Sequence, residues 1–186
     1  MGLTFITSKT APTDAASGEL LFVHGADDVV LDNTYDEYQF YFVNLHPSVD
    51  AAKVMWQPSI DQGSSYGVTT TSTFIQTYHS EADGNETLSY NETYDAAQDA
   101  GVLYLSDGVG FDPDQSASGI FTLYDPSSDT YVKHFVAQVQ HVSAGNTCNI
   151  SRSSGYVNTT SDVDAVKFFF NSGNIDLGTI YMYGVS

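Results

Sequence analysis

Residues 38–45 read YQFYFVNL, a run of aromatic and aliphatic side chains with little polar interruption. Aromatic and β-branched residues of this kind favour pleated sheets. In an extended strand the side chains alternate between two faces. Both faces are then apolar: Tyr38, Phe40 and Phe42 against Tyr41, Val43 and Leu45. The sequence therefore predicts a central strand that is covered by protein on both sides.

The clearest hairpin lies in the second half of the chain. Residues 119–124 and 131–141 are strand-like, and DPSSD at 125–129 separates them. Proline presets φ and aspartate bonds to its own backbone, so this segment predicts a turn. About ten such short strands follow one another along the chain, a spacing typical of an antiparallel sandwich or barrel. We expect one β domain over residues 19–186, preceded by an extended arm over residues 1–18.

The charge balance excludes two classes of partner. The chain has 5 Lys and Arg residues against 23 Asp and Glu residues, a formal net charge of −18. Such a field repels phosphate backbones and anionic lipids, so neither nucleic acid nor a membrane is expected to bind. The ordinary consequence of so acidic a surface is solubility.

The first residues, MGLTFI, contain no basic segment and no long apolar run. They do not resemble a signal peptide, so synthesis in a cytoplasm is expected. Cys148 is the one cysteine, and no intrachain disulfide can form.

No hydrolase elbow, phosphate-binding loop, dinucleotide fingerprint or zinc-protease helix occurs. Pairs of carboxylates suit a glycosidase, but acidic residues are so frequent here that such pairs are expected by chance. We therefore expect a protein that is not an enzyme.

One acidic loop suggests a cation site. Residues 107–114 read DGVGFDPD and place Asp107, Asp112 and Asp114 close together in sequence. Calcium prefers six to eight oxygen ligands, which carboxylates, carbonyls and water supply. These three residues are the candidate Ca²⁺ ligands. The alternative is a solvated loop in which the aspartates form turns, with no cofactor bound.

Two aromatic residues suggest a sugar-binding platform. Trp56 and Tyr66 flank the polar loop at residues 62–65, and aromatic rings stack on sugar rings. They are the candidate glycan-stacking residues. The alternative is that both rings pack in the core.

Four segments resemble a family of virion structural proteins of marine tailed bacteriophages, of the cyanophage and pelagiphage type. They are DNTYDEY at residues 32–38, VNLHP at 43–47, DQGSSY at 61–66 and SGNIDLGTIYMYG at 172–184. The resemblance extends over nearly the whole chain from about Glu19. It implies a jelly-roll-like β-sandwich on the surface of the phage particle, and it assigns no functional residue.

Two positions on the particle compete. One is capsid decoration, as a knob or cement on the shell; the other is a tail fibre or receptor-binding, lectin-like module. A fibre needs a trimerising shaft, and the chain has no heptads to build one. Because bacterial surfaces are anionic, the charge of −18 also favours decoration. The expected partners are other virion proteins, capsid or tail, and further copies of the chain, by analogy as a trimer.

Overall fold

The computed structural model describes residues 2–15, 17–84 and 86–186. Within these residues the fold is all-β, with two antiparallel sheets of nine and four strands. The two sheets bury a common aromatic core, so the prediction of an antiparallel β-sandwich is confirmed. The described residues contain thirteen strands, more than the ten expected, because several irregular stretches of sequence also pair. The jelly-roll arrangement stays a prediction.

The strands, in chain order, are β1 (Leu3–Ala11), β2 (Leu20–Val23), β3 (Glu37–Pro47), β4 (Ala52–Ser59), β5 (Thr70–Ser80), β6 (Glu86–Tyr90), β7 (Ala96–Asp99), β8 (Leu103–Val109), β9 (Ala117–Tyr124), β10 (Lys133–Val142), β11 (Thr147–Val157), β12 (Ala165–Phe170) and β13 (Ile175–Val185). The large sheet has the order β1-β13-β3-β9-β10-β11-β5-β6, and β7 also pairs with β5. The small sheet has the order β2-β12-β4-β8. No described helix is long and apolar enough to cross a membrane.

The predicted central strand is β3, which pairs with β13 on one side and β9 on the other. Tyr38, Phe40 and Phe42 point inward and are almost fully buried. The opposite face is not covered, because Val43 remains 43 % exposed. The expectation of two covered faces was therefore wrong. A bulge also separates Phe42 from Leu45, which turns Leu45 into the core with the first face.

The core between the sheets is built from interlocking aromatic rings. Phe40 and Phe121 of the large sheet meet Phe168 of the small sheet, with ring centroids 5.2 and 5.5 Å from it. Trp56 lies 4.5 Å from Phe121. Aromatic pairs at such separations stabilise a core beyond the area that they bury. This packing fixes the position of the large sheet relative to the small one.

The predicted hairpin is confirmed as β9 and β10, with Phe135 opposite Leu123. Lys133, the first residue of β10 after the turn, is fully buried. Its ammonium group donates to the carbonyls of Ser128, Tyr131 and Thr159. The turn is therefore held closed by a buried cation that bonds only to backbone oxygens.

The segment expected to form an N-terminal arm contributes a strand to the large sheet. Residues 3–11 form β1, an edge strand of the large sheet that pairs with β13 from Leu3 opposite Val185 to Ala11 opposite Gly178. Nine of the 18 residues expected to form the arm are thus part of the sandwich. Met1 and Ala16, which also belong to the expected arm, lie outside the described residues.

Candidate functional site

The three aspartates of the predicted calcium site do not share one loop. Asp107 belongs to strand β8, and its Oδ1 accepts a hydrogen bond from the Tyr94 hydroxyl at 2.9 Å. Asp112 and Asp114 follow the strand in a loop whose Asp112 carbonyl lies 3.3 Å from His46 Nε2. Among the residues that the structure describes, no three His, Cys, Asp or Glu side chains are grouped to hold a metal. The structure therefore does not bring the predicted ligands together.

Trp56 lies in the core of the sandwich and is 0 % exposed. Its ring contacts Phe121 and Phe135 of the large sheet, with centroids 4.5 and 4.8 Å away. A sugar has no access to this ring. The stacking role predicted for Trp56 is corrected to core packing.

Tyr66 lies on the other side of the small sheet from Trp56. Its ring faces Lys167, whose ammonium group is 4.8 Å from the ring centroid and 3.0 Å from Glu19 Oε1. Lys167 points away from the core because its neighbour Phe168 points into it. Burial, with the nearby charges of Glu19 and other carboxylates, raises the pKa of the Tyr66 hydroxyl. The predicted two-residue platform is not formed, since a sheet separates its members.

Among the residues that the structure describes, the large sheet leaves a broad outer face uncovered by other elements. We use this name for the outward side chains of strands β1, β13, β3, β9, β10, β11, β5 and β6. The strand register defines rows across this face. One row contains Phe5, Tyr183, Gln39, Thr122, Val136, Ser154 and Thr73; the next contains Ser8, Tyr181, Tyr41, Ile120, Gln138, Arg152, Ile75 and Tyr90.

Aromatic rings cluster at the β1 end of the outer face. Tyr183 lies between Phe5 and Tyr41, with ring centroids 5.5 and 5.4 Å away, and Tyr181 is opposite Tyr41 in the register. The Tyr41 hydroxyl donates to Gln39 Oε1 at 2.9 Å, which fixes its direction. Phe5 is 55 % exposed, so the cluster is accessible. The sequence indicates this cluster through the alternation of residues 177–183, which places Tyr181 and Tyr183 on the same face of a strand.

The outer face has almost no charge, unlike the rest of the chain. Two carboxylates belong to its described strands by regular register, and both lie at its margins: Glu37 at the start of β3 and Glu86 on the edge strand β6. Arg152 is the one Lys or Arg residue in these rows. The remaining positions are Thr, Ser, Gln, Tyr and aliphatic residues. Almost all of the 23 acidic residues of the chain therefore lie outside the outer face.

One ion pair marks the margin where β3 and β13 bulge. His46 Nδ1 lies 2.7 Å from Asp176 Oδ1, and Nε2 lies 3.2 Å from the carbonyl of Phe111. Burial alone would lower the pKa of His46. The hydrogen bond and charge of Asp176, with the carbonyls of Asp112 and Phe111, outweigh it and raise the pKa. Where His46 takes up a proton, its charge is compensated by Asp176.

The inner side of the same sheet contains an isolated histidine. His141 on β10 is 0 % exposed, and Asn149 Nδ2 donates to its Nε2 at 3.1 Å. Burial lowers the pKa of His141 to about 4, and the charge of Asp107 opposes this only weakly. His141 is thus a neutral part of the core at physiological pH.

The chain was compared with family models, with curated proteins and with solved structures, and no match was found in any of the three.

Proposed function

We propose that this chain is a non-enzymatic structural protein of the bacteriophage particle surface, acting as a capsid decoration or cement subunit. The observation that carries the proposal is the outer face of the large sheet. It is broad and nearly free of charge, which suits contact with another protein surface. On the outer side of the small sheet, by contrast, Tyr66 lies over Lys167 and Tyr94 lies over Lys53.

The distribution of chemically reactive side chains supports the same proposal. Asp107 is bonded to Tyr94, His46 is paired with Asp176 and His141 is buried. A general acid or base must be within hydrogen-bond reach of a bound substrate. His46 lies at the margin of the outer face, and His141 is buried beneath the surface near Asp107, so these groups favour a role in stability.

A second candidate is a receptor-binding module of the tail. The observation that favours it is the accessible cluster of Phe5, Tyr41, Tyr181 and Tyr183. Aromatic faces beside fixed polar groups such as Gln39 suit the stacking of sugar rings. This cluster replaces Trp56 and Tyr66 as the place where a glycan would bind.

The test is to locate the protein on purified particles and to count its copies, by quantitative mass spectrometry and by imaging with a labelled antibody fragment. Decoration predicts hundreds of copies over the capsid, roughly proportional to the major shell protein. A few copies confined to the tail would support the receptor-binding candidate. Absence from washed particles would refute both.

A further inference from the structure

We infer that the outer face of the large sheet packs against the same face of a second copy of this chain, around a two-fold axis. This deepens the proposed function, on which it rests for the idea that the protein works by surface contact. The partner that it specifies is a second copy of the same chain.

The charge distribution argues for a copy of the same chain. Strands disfavour Asp and, less strongly, Glu, and the loops of this protein carry many carboxylates, such as Asp61, Asp83 and Asp129. A basic partner would favour acidic residues at the contact. Exclusion of carboxylates is expected where the approaching object is itself strongly acidic, because like charges brought together at a desolvated contact are costly. A second copy, also at −18, is such an object.

The side chains in the rows suit burial. Val136 in the middle of the sheet is 49 % exposed, Ile75 next to the edge strand β6 is 42 % exposed, and Val43 is exposed beside the aromatic cluster. Thr, Ser and Gln side chains make up much of the remaining face and can make hydrogen bonds without carrying charge, with Arg152 as the one cation in the two rows. This mixture of apolar and neutral polar residues is typical of protein contact surfaces.

The dimensions of the outer face are sufficient. Eight neighbouring strands about 4.8 Å apart make it about 34 Å wide, and His134 to Val142 along β10 spans about 27 Å. A stable interface buries roughly 800 Å² on each partner, which such a face can supply. Sheets that pack face to face lie about 10 Å apart, so the outward side chains of two copies can meet in this arrangement.

Two-fold symmetry follows from using one surface for both partners. An isologous contact presents the same patch on each subunit and closes after two copies. It brings the neutral rows together and leaves the acidic loops at the periphery, where water and salt screen them.

The first measurement is the mass of the purified full chain in solution, by sedimentation equilibrium from micromolar to hundred-micromolar concentrations. We expect a species of twice the 20.2 kDa of one chain. We also expect its dissociation constant to fall when salt is raised from about 0.1 M to about 1 M, because the remaining repulsion between acidic margins is screened. An interface held by ion pairs would respond in the opposite direction.

The second measurement uses matched variants. Val136→Glu places a carboxylate in the middle of the outer face and should raise the dissociation constant by about a hundredfold. The control Val49→Glu adds the same charge at an exposed site in the turn after β3 and should leave it within about threefold. Circular dichroism and melting temperature show whether both variants keep the fold.

A monomer at every concentration and salt would overturn the inference. So would a mass of three chains, which would favour the trimer expected by analogy, or an equal effect of the two variants. A dimer in solution whose chain is absent from purified particles would uphold this inference and refute the proposed function. A particle-bound monomer would do the reverse.

Discussion

His141 makes the stability of the sandwich depend on pH in a way that can be calculated. In the folded protein its pKa is about 4, and in the unfolded chain it returns to about 6.5. Its folded pKa is depressed, so between these values the unfolded state binds the proton and the folded state does not. Stability is therefore lost as the pH falls from about 6.5 to 4. Integration from pH 7 to pH 4.5 gives a loss of about 2 kcal/mol from this residue alone.

The assay is urea denaturation at pH 7 and at pH 4.5, with the free energy of unfolding taken by linear extrapolation. Many carboxylates also titrate in this range, so the absolute change is not diagnostic. The variant His141→Gln keeps an acceptor for Asn149 and removes the titrating ring. Relative to it, the wild-type protein should lose about 2 kcal/mol more on acidification.

His134→Gln is the matched control, since His134 is on the same strand and points to the outside. This variant retains His141 and should lose stability with pH as the wild-type protein does. If wild type and His141→Gln respond equally to acidification, His141 is not a buried neutral ring and the packing described around it is wrong. An NMR titration of the His141 ring near pH 6.5 would lead to the same conclusion.

Three further predictions concern the core, the hairpin turn and calcium. Trp56→Ala should lower the free energy of unfolding by about 3–5 kcal/mol because the ring is fully buried, whereas Tyr66→Ala, outside the core, should cost clearly less in the same denaturation series. Lys133→Met should cost about 2 kcal/mol, since three carbonyls lose a charged donor, while Lys53→Met on the small sheet should cost less than about 1 kcal/mol. Millimolar Ca²⁺ should raise the melting temperature no more than Mg²⁺ does at equal ionic strength, because the described residues contain no group of three carboxylate, His or Cys side chains placed to hold an ion. A calcium-specific rise that Asp112→Asn abolishes would show that the loop binds the ion.

Much of the fold follows from local patterns. The alternation of residues 38–45 and the turn at 125–129 are set by side-chain period and by backbone preference, which are properties of the sequence itself. Both predict the observed strands, β3 and the β9–β10 hairpin. The acidic composition likewise needs no structure, since charge is additive along the chain. These features depend on the composition of the chain or on residues that are close together in sequence.

Only the tertiary structure decided which side of each strand faces water. β3 is apolar on both faces, and its pattern is the same whether one or two layers cover it. Trp56 and Tyr66 lie ten residues apart in sequence but on opposite sides of the small sheet. The residues of the outer face come from strands as distant as β1 and β13, and only their pairing shows that carboxylates are excluded from it. Such a surface is set by contacts between segments far apart in the chain, which no local pattern encodes.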